Sequence, residues 1–252
     1  MQCQQFFLNL PDFFKYYIMI IGENMKILAT DFDNTLYVKD ENIFKKNISS
    51  LKEFISKGNL FCIITGRSYT SIKVFLNKYN IPYSYLICED GAKIFNNVDY
   101  CIETVLLPAE EVTKIQEVFR KNNMPCFLED GYNITENPND CVKVLAKYTD
   151  KNAAEEIVKE LQTTTETYAY VSREHINITS NKTNKKQALK NLMEKEQLQP
   201  SDIFVIGDDI NDYEMLKEFP GAVMKNHHPK LDELQKNECE KLYEYIEELI
   251  NY

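Results

Sequence analysis

Two carboxylates one residue apart, Asp31 and Asp33, stand at the end of the apolar run Ile27-Leu28-Ala29-Thr30. A buried parallel strand reads as a short continuous apolar run, and ligands of open α/β sheets bind just beyond the carboxyl ends of such strands. Carboxylates brought together in a low-dielectric cleft repel strongly unless a cation neutralises them, which suits metal-assisted phosphoryl transfer. A polar turn closing a strand accounts equally well for one such pair. Three further groups break the tie. Thr65-Gly66-Arg67 follows the run Leu60 to Ile64, Lys182, Lys185 and Lys186 form a cluster, and Gly207-Asp208-x-x-Asn211-Asp212 follows the run Ile203 to Ile206. Of only seven glycines, two close these runs, where a missing side chain lets backbone approach a ligand.

The elements that must position these groups can be read in order. After Leu36, the residues Phe44, Ile48, Leu51, Phe54 and Ile55 recur at helical spacing until Gly58 supplies a stop. Leu60 to Ile64 predicts a second buried strand, and Ser68 or Thr70 caps a helix running to Tyr79. This β-α-β-α order predicts parallel strands with adjacent carboxyl ends, which brings Thr65 near Asp31. The same pattern returns late in the chain, with helices at Asn184 to Lys195, Asn211 to Phe219 and Leu242 to Ile250 and strands at Ile203 to Ile206 and Gly221 to Met224.

Between the two stretches the pattern changes. Short strands at Tyr85 to Cys88, Ala92 to Phe95 and Tyr100 to Val105 are separated by the turn dipeptides Asp90-Gly91 and Asn96-Asn97. A helix from Pro108 to Asn122 follows, then strands at 126–128 and 142–146, a helix near 152–161, and strands near 168–171 and 176–179. Hairpins with two helices predict an antiparallel sheet covered on one side. The expected organisation is an α/β parallel-sheet core built from residues 25–84 and 181–252, a smaller α+β domain inserted at 85–180, and an N-terminal extension over 1–24.

Composition narrows the function. A chain of 252 residues with 44% hydrophobic and 27% charged residues can bury a sizeable core. The net charge of −10 repels polyanions and argues against nucleic acid as a partner. Seven scattered cysteines without a Cys-x-x-Cys pair argue against a disulfide framework or a structural zinc site and for a reducing cytoplasm. The apolar stretch Tyr16 to Ile21 falls far short of the ~18–20 residues that span a bilayer, so no membrane partner is expected. Without a basic segment before it, that stretch also fits a secretory signal poorly, and Met25 would make a natural first residue.

The set Asp31-x-Asp33-x-Thr35, Thr65-Gly66-Arg67, a lysine at 182–186 and Gly207-Asp208-x-x-Asn211-Asp212 resembles the haloacid dehalogenase superfamily, specifically its Cof-type, sugar-phosphatase-like branch. The resemblance covers residues 25 to about 230. It implies a Rossmann-like core with an inserted C2-type α/β cap, and a Mg2+-dependent phosphatase that hydrolyses a small phosphomonoester through an aspartyl-phosphate. By the same resemblance Asp31 is the nucleophile, Asp33 the general acid and base, Thr65 a hydrogen-bond donor to the phosphoryl group and Lys185 the charge stabiliser. Thr65, Gly66, Lys185 and Asn211 would bind the phosphate, Asp31, Asp33 and Asp208 the metal, with Asp212 supporting them. A phosphomutase, or a regulator that binds a phosphometabolite without turnover, could use the same scaffold.

The residue chemistry agrees. A carboxylate is ionised at pH 7, so Asp31 needs no base to attack phosphorus, while Asp33 can give a proton to a leaving alcohol and later take one from water. Lys185 lies three, four and seven residues before Ala188, Leu189 and Leu192, so it opens the inward stripe of its helix. Lys186 turns ~100° away from that stripe. Asn34 and Asp90 stand where this branch usually carries Gly and Asn. Asp209 reads as a neighbour pointing away from the site, and His227 and His228 have no role in this scheme.

Overall fold

Ile27–Asp31 (β1) is buried at every position and forms the middle of an eight-stranded sheet in the computed structural model, which describes residues 25–197 and 203–252. The expected N-terminal extension at 1–24 lies outside the described residues. A helix at Glu41–Ser56 (α1), capped by the Asp40 side chain, leads to Leu60–Ile64 (β2), and a helix at Tyr69–Tyr79 (α2) leads to Tyr85–Cys88 (β3). Ser68 is the residue that caps α2, accepting from the Ser71 amide. The hairpin Lys93–Asn96 (β4) and Cys101–Thr104 (β5) completes one side of the sheet.

The inserted region consists of a helix at Ala109–Lys121 (α3), strands Phe127–Glu129 (β6), Ile134–Thr135 (β7) and Lys143–Lys147 (β8), a helix at Lys151–Thr164 (α4), and strands Thr167–Val171 (β9) and His175–Ser180 (β10). Its five strands form an antiparallel sheet in the order β7-β6-β8-β10-β9. Helices α3 and α4 bury Val112, Ile115, Phe119, Ile157 and Leu161 against Val144, Ile176 and Ile178 of this sheet. The chain then returns to the first sheet through Lys185–Glu196 (α5), Ile203–Gly207 (β11), Tyr213–Glu218 (α6), Gly221–Met224 (β12), Asn237–Cys239 (β13) and Leu242–Asn251 (α7).

The large sheet has the order β13-β12-β11-β1-β2-β3-β4-β5. Its helices lie on both faces: Phe44, Leu51 and Phe54 of α1 pack with Ile246 and Leu249 of α7, while Ala188, Leu189 and Leu192 of α5 pack with Met215 and Leu216 of α6 on the other side. Register positions the site. β1 pairs in parallel with both neighbours, Asp31 opposite Ile64 and Thr30 opposite Ile206, so the three strands end together and deliver Asp31, Thr65 and Asp208 to one edge.

One expected boundary shifts. The short strands and turns of residues 85–104 read as antiparallel hairpins and so as part of the insertion, yet β3 pairs in parallel with β2 and carries β4 and β5 as an antiparallel edge of the core sheet. The hairpin pattern is present, but which sheet a hairpin joins depends on a partner distant in sequence. The smaller domain therefore begins after Thr104. All six described cysteines are free, and no helix among the described residues is long and apolar enough to cross a membrane.

Candidate active site

The site is a cleft of about 570 Å³ between the carboxyl edge of the large sheet and the polar face of the smaller domain. Asp31, Thr65 and Asp208 line it from the core, and Glu129, Lys143 and Arg173 from the insertion. At its floor Lys185 is buried to 1% exposure and donates to Asp31 Oδ1 at 2.6 Å and to Asp212 Oδ1 at 2.8 Å. Its place at the start of α5 follows from the inward stripe that Ala188, Leu189 and Leu192 complete. Lys186 pairs instead with Glu214 on the surface.

Asp208 occupies the turn after β11, where its Oδ1 accepts from the Thr35 hydroxyl at 3.2 Å and its Oδ2 from Arg173 Nη2 at 2.8 Å. Asp212 braces that turn by accepting the Asp208 and Asp209 amides on one oxygen. A side chain on Gly207 would sit 2.4 Å from the Asp212 carboxylate, so the close approach requires glycine. Asp209 accepts the Ile210 amide on Oδ1 and lines the cleft beside Asp208.

Oxygens of Asp31, Asp208 and Asp212 lie within 4.8 Å of one another. Burial pushes the Asp31 carboxyl well above the usual carboxylate range, with Lys185 pulling it partly back and Asp212 and Asp208 adding to the rise. Burial and then Asp212 push Asp208 up to about 7 against the opposing pull of Arg173. Burial alone would lower the Lys185 ammonium, but Asp212 and Asp31 outweigh it and hold it well above its ordinary value. Three buried carboxylates facing one buried lysine form an all-oxygen donor set with charge to spare, which fits a hard divalent cation such as Mg2+. Asp212 is committed to Lys185 and two amides, whereas Asp31 Oδ2 makes no hydrogen bond among the described residues.

The geometry sets the Asp33 side chain apart from the buried acidic group. Both Asp33 oxygens are held by Arg67, Nη2 to Oδ1 and Nε to Oδ2, each at 2.7 Å, so the Asp33 side chain points out of the acidic trio that Asp212 completes. Sequence spacing could not separate these possibilities, because two residues on from a strand end the chain is already in a loop. That loop turns at Asn34, whose φ of 62° is a left-handed conformation asparagine tolerates, which accounts for its presence where glycine is usual.

Thr65 and Gly66 do line the cleft, Thr65 Oγ1 accepting the Arg67 amide and the Gly66 carbonyl accepting from Lys143 Nζ at 2.7 Å. Asn211 donates its amide to Asp90 Oδ1 at 2.8 Å and to the Tyr170 hydroxyl at 3.2 Å, so it positions neighbours rather than facing the cleft with a free donor. Asp90, fully buried with φ 55°, is gripped on its other oxygen by Lys143 at 2.9 Å. Burial raises its carboxyl, but Lys143 and Lys185 outweigh that and hold it below the usual range. Lys143 and Arg173 escaped the sequence reading because both lie in the inserted domain, in hairpin strands and turns without a motif.

The sequence model of the haloacid dehalogenase-like hydrolase family matches residues 28–139 and 129–244. The chain belongs to this family. It is an enzyme of the phosphatase type, a hydrolase. A 5-amino-6-(5-phospho-D-ribitylamino)uracil phosphatase of Bacillus subtilis is 24% identical to it over 205 residues, covering 77% of this chain and 81% of that protein. Among solved structures, a haloacid dehalogenase-like hydrolase from B. subtilis shares the fold with a TM-score of 0.79 at 16% identity, covering 90% of this chain and 99% of the other. A phosphatase of the same superfamily from Bacteroides thetaiotaomicron gives a TM-score of 0.77 at 21% identity, with 92% and 97% covered. The hydrolase thus carries its acidic trio at the strand edge where this fold brings three chain segments together.

Proposed function

We propose that the hydrolase removes phosphate from a small phosphomonoester, a sugar phosphate or related phosphometabolite, by a Mg2+-dependent route through an aspartyl-phosphate on Asp31. The observation that carries this reading is the Asp31 carboxylate, with one oxygen fixed by Lys185 and the other open to the cleft beside Asp208. Asp31 and Asp208 would hold the metal, which when bound neutralises phosphate charge that would otherwise repel the nucleophile.

Asp31 attacks phosphorus as the bond to the leaving oxygen breaks, and Asp33 delivers a proton to that oxygen. Lys185 and the Thr65 hydroxyl stabilise charge on the phosphoryl oxygens. Asp33 then takes a proton from water as the water attacks the aspartyl-phosphate, releasing inorganic phosphate and restoring Asp31. For either transfer one Asp33 oxygen must come free of Arg67, so opening of that ion pair belongs to the catalytic cycle. Phosphate release from a panel of phosphorylated metabolites, measured with and without Mg2+, tests the reading. Asp31→Asn should abolish release while leaving circular dichroism unchanged, and undiminished turnover in that variant would refute the mechanism.

A further inference from the structure

A second cavity, of about 330 Å³, adjoins the first, with Arg173 in the wall of both. Lys151, Tyr148 and Arg173 line it from the inserted domain and Asp209 and His228 from the core. Ser172, Arg173 and Asp209 line both cavities, so one extended molecule can occupy the two at once.

We propose that this second cavity binds an oxyanion, a phosphate or a carboxylate, at the end of the substrate remote from the phosphoryl group that reacts; the identification of the first cavity as the reaction site rests on the phosphatase reading. Three donor-bearing residues line the second cavity. Among the described residues Lys151 has only Glu155 as an ion-pair partner, at 3.9 Å with both side chains exposed, an arrangement too weak to hold the ammonium back from a ligand. Arg173 spends one nitrogen on Asp208, and a guanidinium has five N–H donors in all. His228 accepts the Lys230 amide on Nδ1, which places its proton on Nε2, and that nitrogen has no partner among the described residues. His227 is not part of the set, since its two ring nitrogens are engaged by the Met224 carbonyl and Asp232.

The opposing carboxylate, Asp209, has one oxygen turned onto the Ile210 amide of its own turn. In a chain of net charge −10, a cavity with two cations and an N–H donor facing one carboxylate runs against the average surface. Because Lys151 belongs to the insertion and His228 to the core, a bound oxyanion would also tie the two domains together over the substrate. The pair His227-His228, without a role in the sequence scheme, thereby divides into a structural member and a ligand-binding one.

Titration calorimetry on the full chain with Mg2+, in the Asp31→Asn background so that no ligand is consumed, tests the assignment. Fructose 1,6-bisphosphate is compared with fructose 6-phosphate, and 6-phosphogluconate with glucose 6-phosphate. The ligand with the second oxyanion is expected to bind at least ~10-fold more tightly in one or both pairs, and a preference in one pair alone identifies the oxyanion as phosphate or carboxylate. Lys151→Met and His228→Gln should each erase most of that preference while leaving the affinity for fructose 6-phosphate in place. Equal affinities within both pairs, or a preference that survives both substitutions, would overturn the site. Phosphate release by the unaltered chain is read separately. A preference dependent on Lys151 and His228 in a chain that hydrolyses nothing refutes the phosphatase reading and keeps the site, whereas hydrolysis without the preference does the reverse.

Discussion

Replacing Lys185 with methionine removes a charge while keeping much of the side-chain volume. The ammonium contacts Asp31 at 2.6 Å and Asp212 at 2.8 Å with 1% of its side chain exposed. At an effective dielectric of ~20 each contact is worth about 6 kcal/mol of gross attraction, and desolvation of three buried charges consumes most of it. Breaking such a pair leaves the carboxylates without their counter-charge, a net loss of stability of about 3–5 kcal/mol. In turnover, loss of one electrostatic stabiliser costs about 10²- to 10³-fold in kcat.

The stability loss carries a pH signature with a definite sign. Burial already holds the Asp31 carboxyl well above its usual range, and removing Lys185 takes away the main charge that pulls it back. A carboxyl raised in the folded state weakens the fold as pH climbs through its folded pKa, so the Lys185→Met penalty should be greatest in alkali and shrink as Asp31 takes up a proton. Urea unfolding followed by circular dichroism with chelator present, at acid and alkaline pH, measures the first effect, and saturating p-nitrophenyl phosphate with Mg2+ the second. Lys186→Ala is the control, since its partly exposed pair with Glu214 is worth about 0–1 kcal/mol. A penalty that does not vary with pH, or a near-normal Lys185→Met enzyme beside a crippled Lys186→Ala one, would refute the assignment.

Asp208→Asn should raise the Mg2+ concentration needed for half-maximal activity, and an unchanged metal titration would remove Asp208 from the site. Asp33→Asn should lower steady-state turnover by about 10²- to 10⁴-fold, the range of one acid-base group, yet still release a burst of p-nitrophenol from p-nitrophenyl phosphate, whose leaving group needs little protonation. Wild-type steady-state rates in that variant would exclude Asp33 as the proton carrier. Burial drives the Glu89 carboxyl from 4.5 up to about 8, only partly opposed by Lys143 Nζ at 3.6 Å, and neither of its oxygens has a hydrogen-bond partner among the described residues. With the folded pKa raised, the stability it confers is present below about 4.5 and lost as pH rises toward 8. Glu89→Gln should therefore gain on the wild type in urea midpoint across that window, and a constant difference between the two would contradict the account.

The chain's order of elements and most of the core groups that meet at its cleft could be read without coordinates, because they depend on local pattern. Apolar runs ending in Asp31, Thr65 and Asp208 are strands whose ends must meet once the connections are right-handed and parallel. Lys185 could be told from Lys186 because a helix has one inward face and the apolar residues that follow mark it. What the tertiary structure alone decided are the pairings between groups distant in sequence. Whether β4 and β5 extend the core sheet or begin the insertion depends on the free edge of β3, which no local pattern encodes. Asp33 and Asp212 are both acidic residues near strand ends, yet one is drawn off by Arg67 and the other is held in the trio by Lys185 and two amides. Lys143 and Arg173 enter the cleft from the other domain, and their roles exist only because folding lays that domain's polar face over the strand ends; charge and hydrogen bonding act through a few ångströms of space, and sequence distance does not measure that.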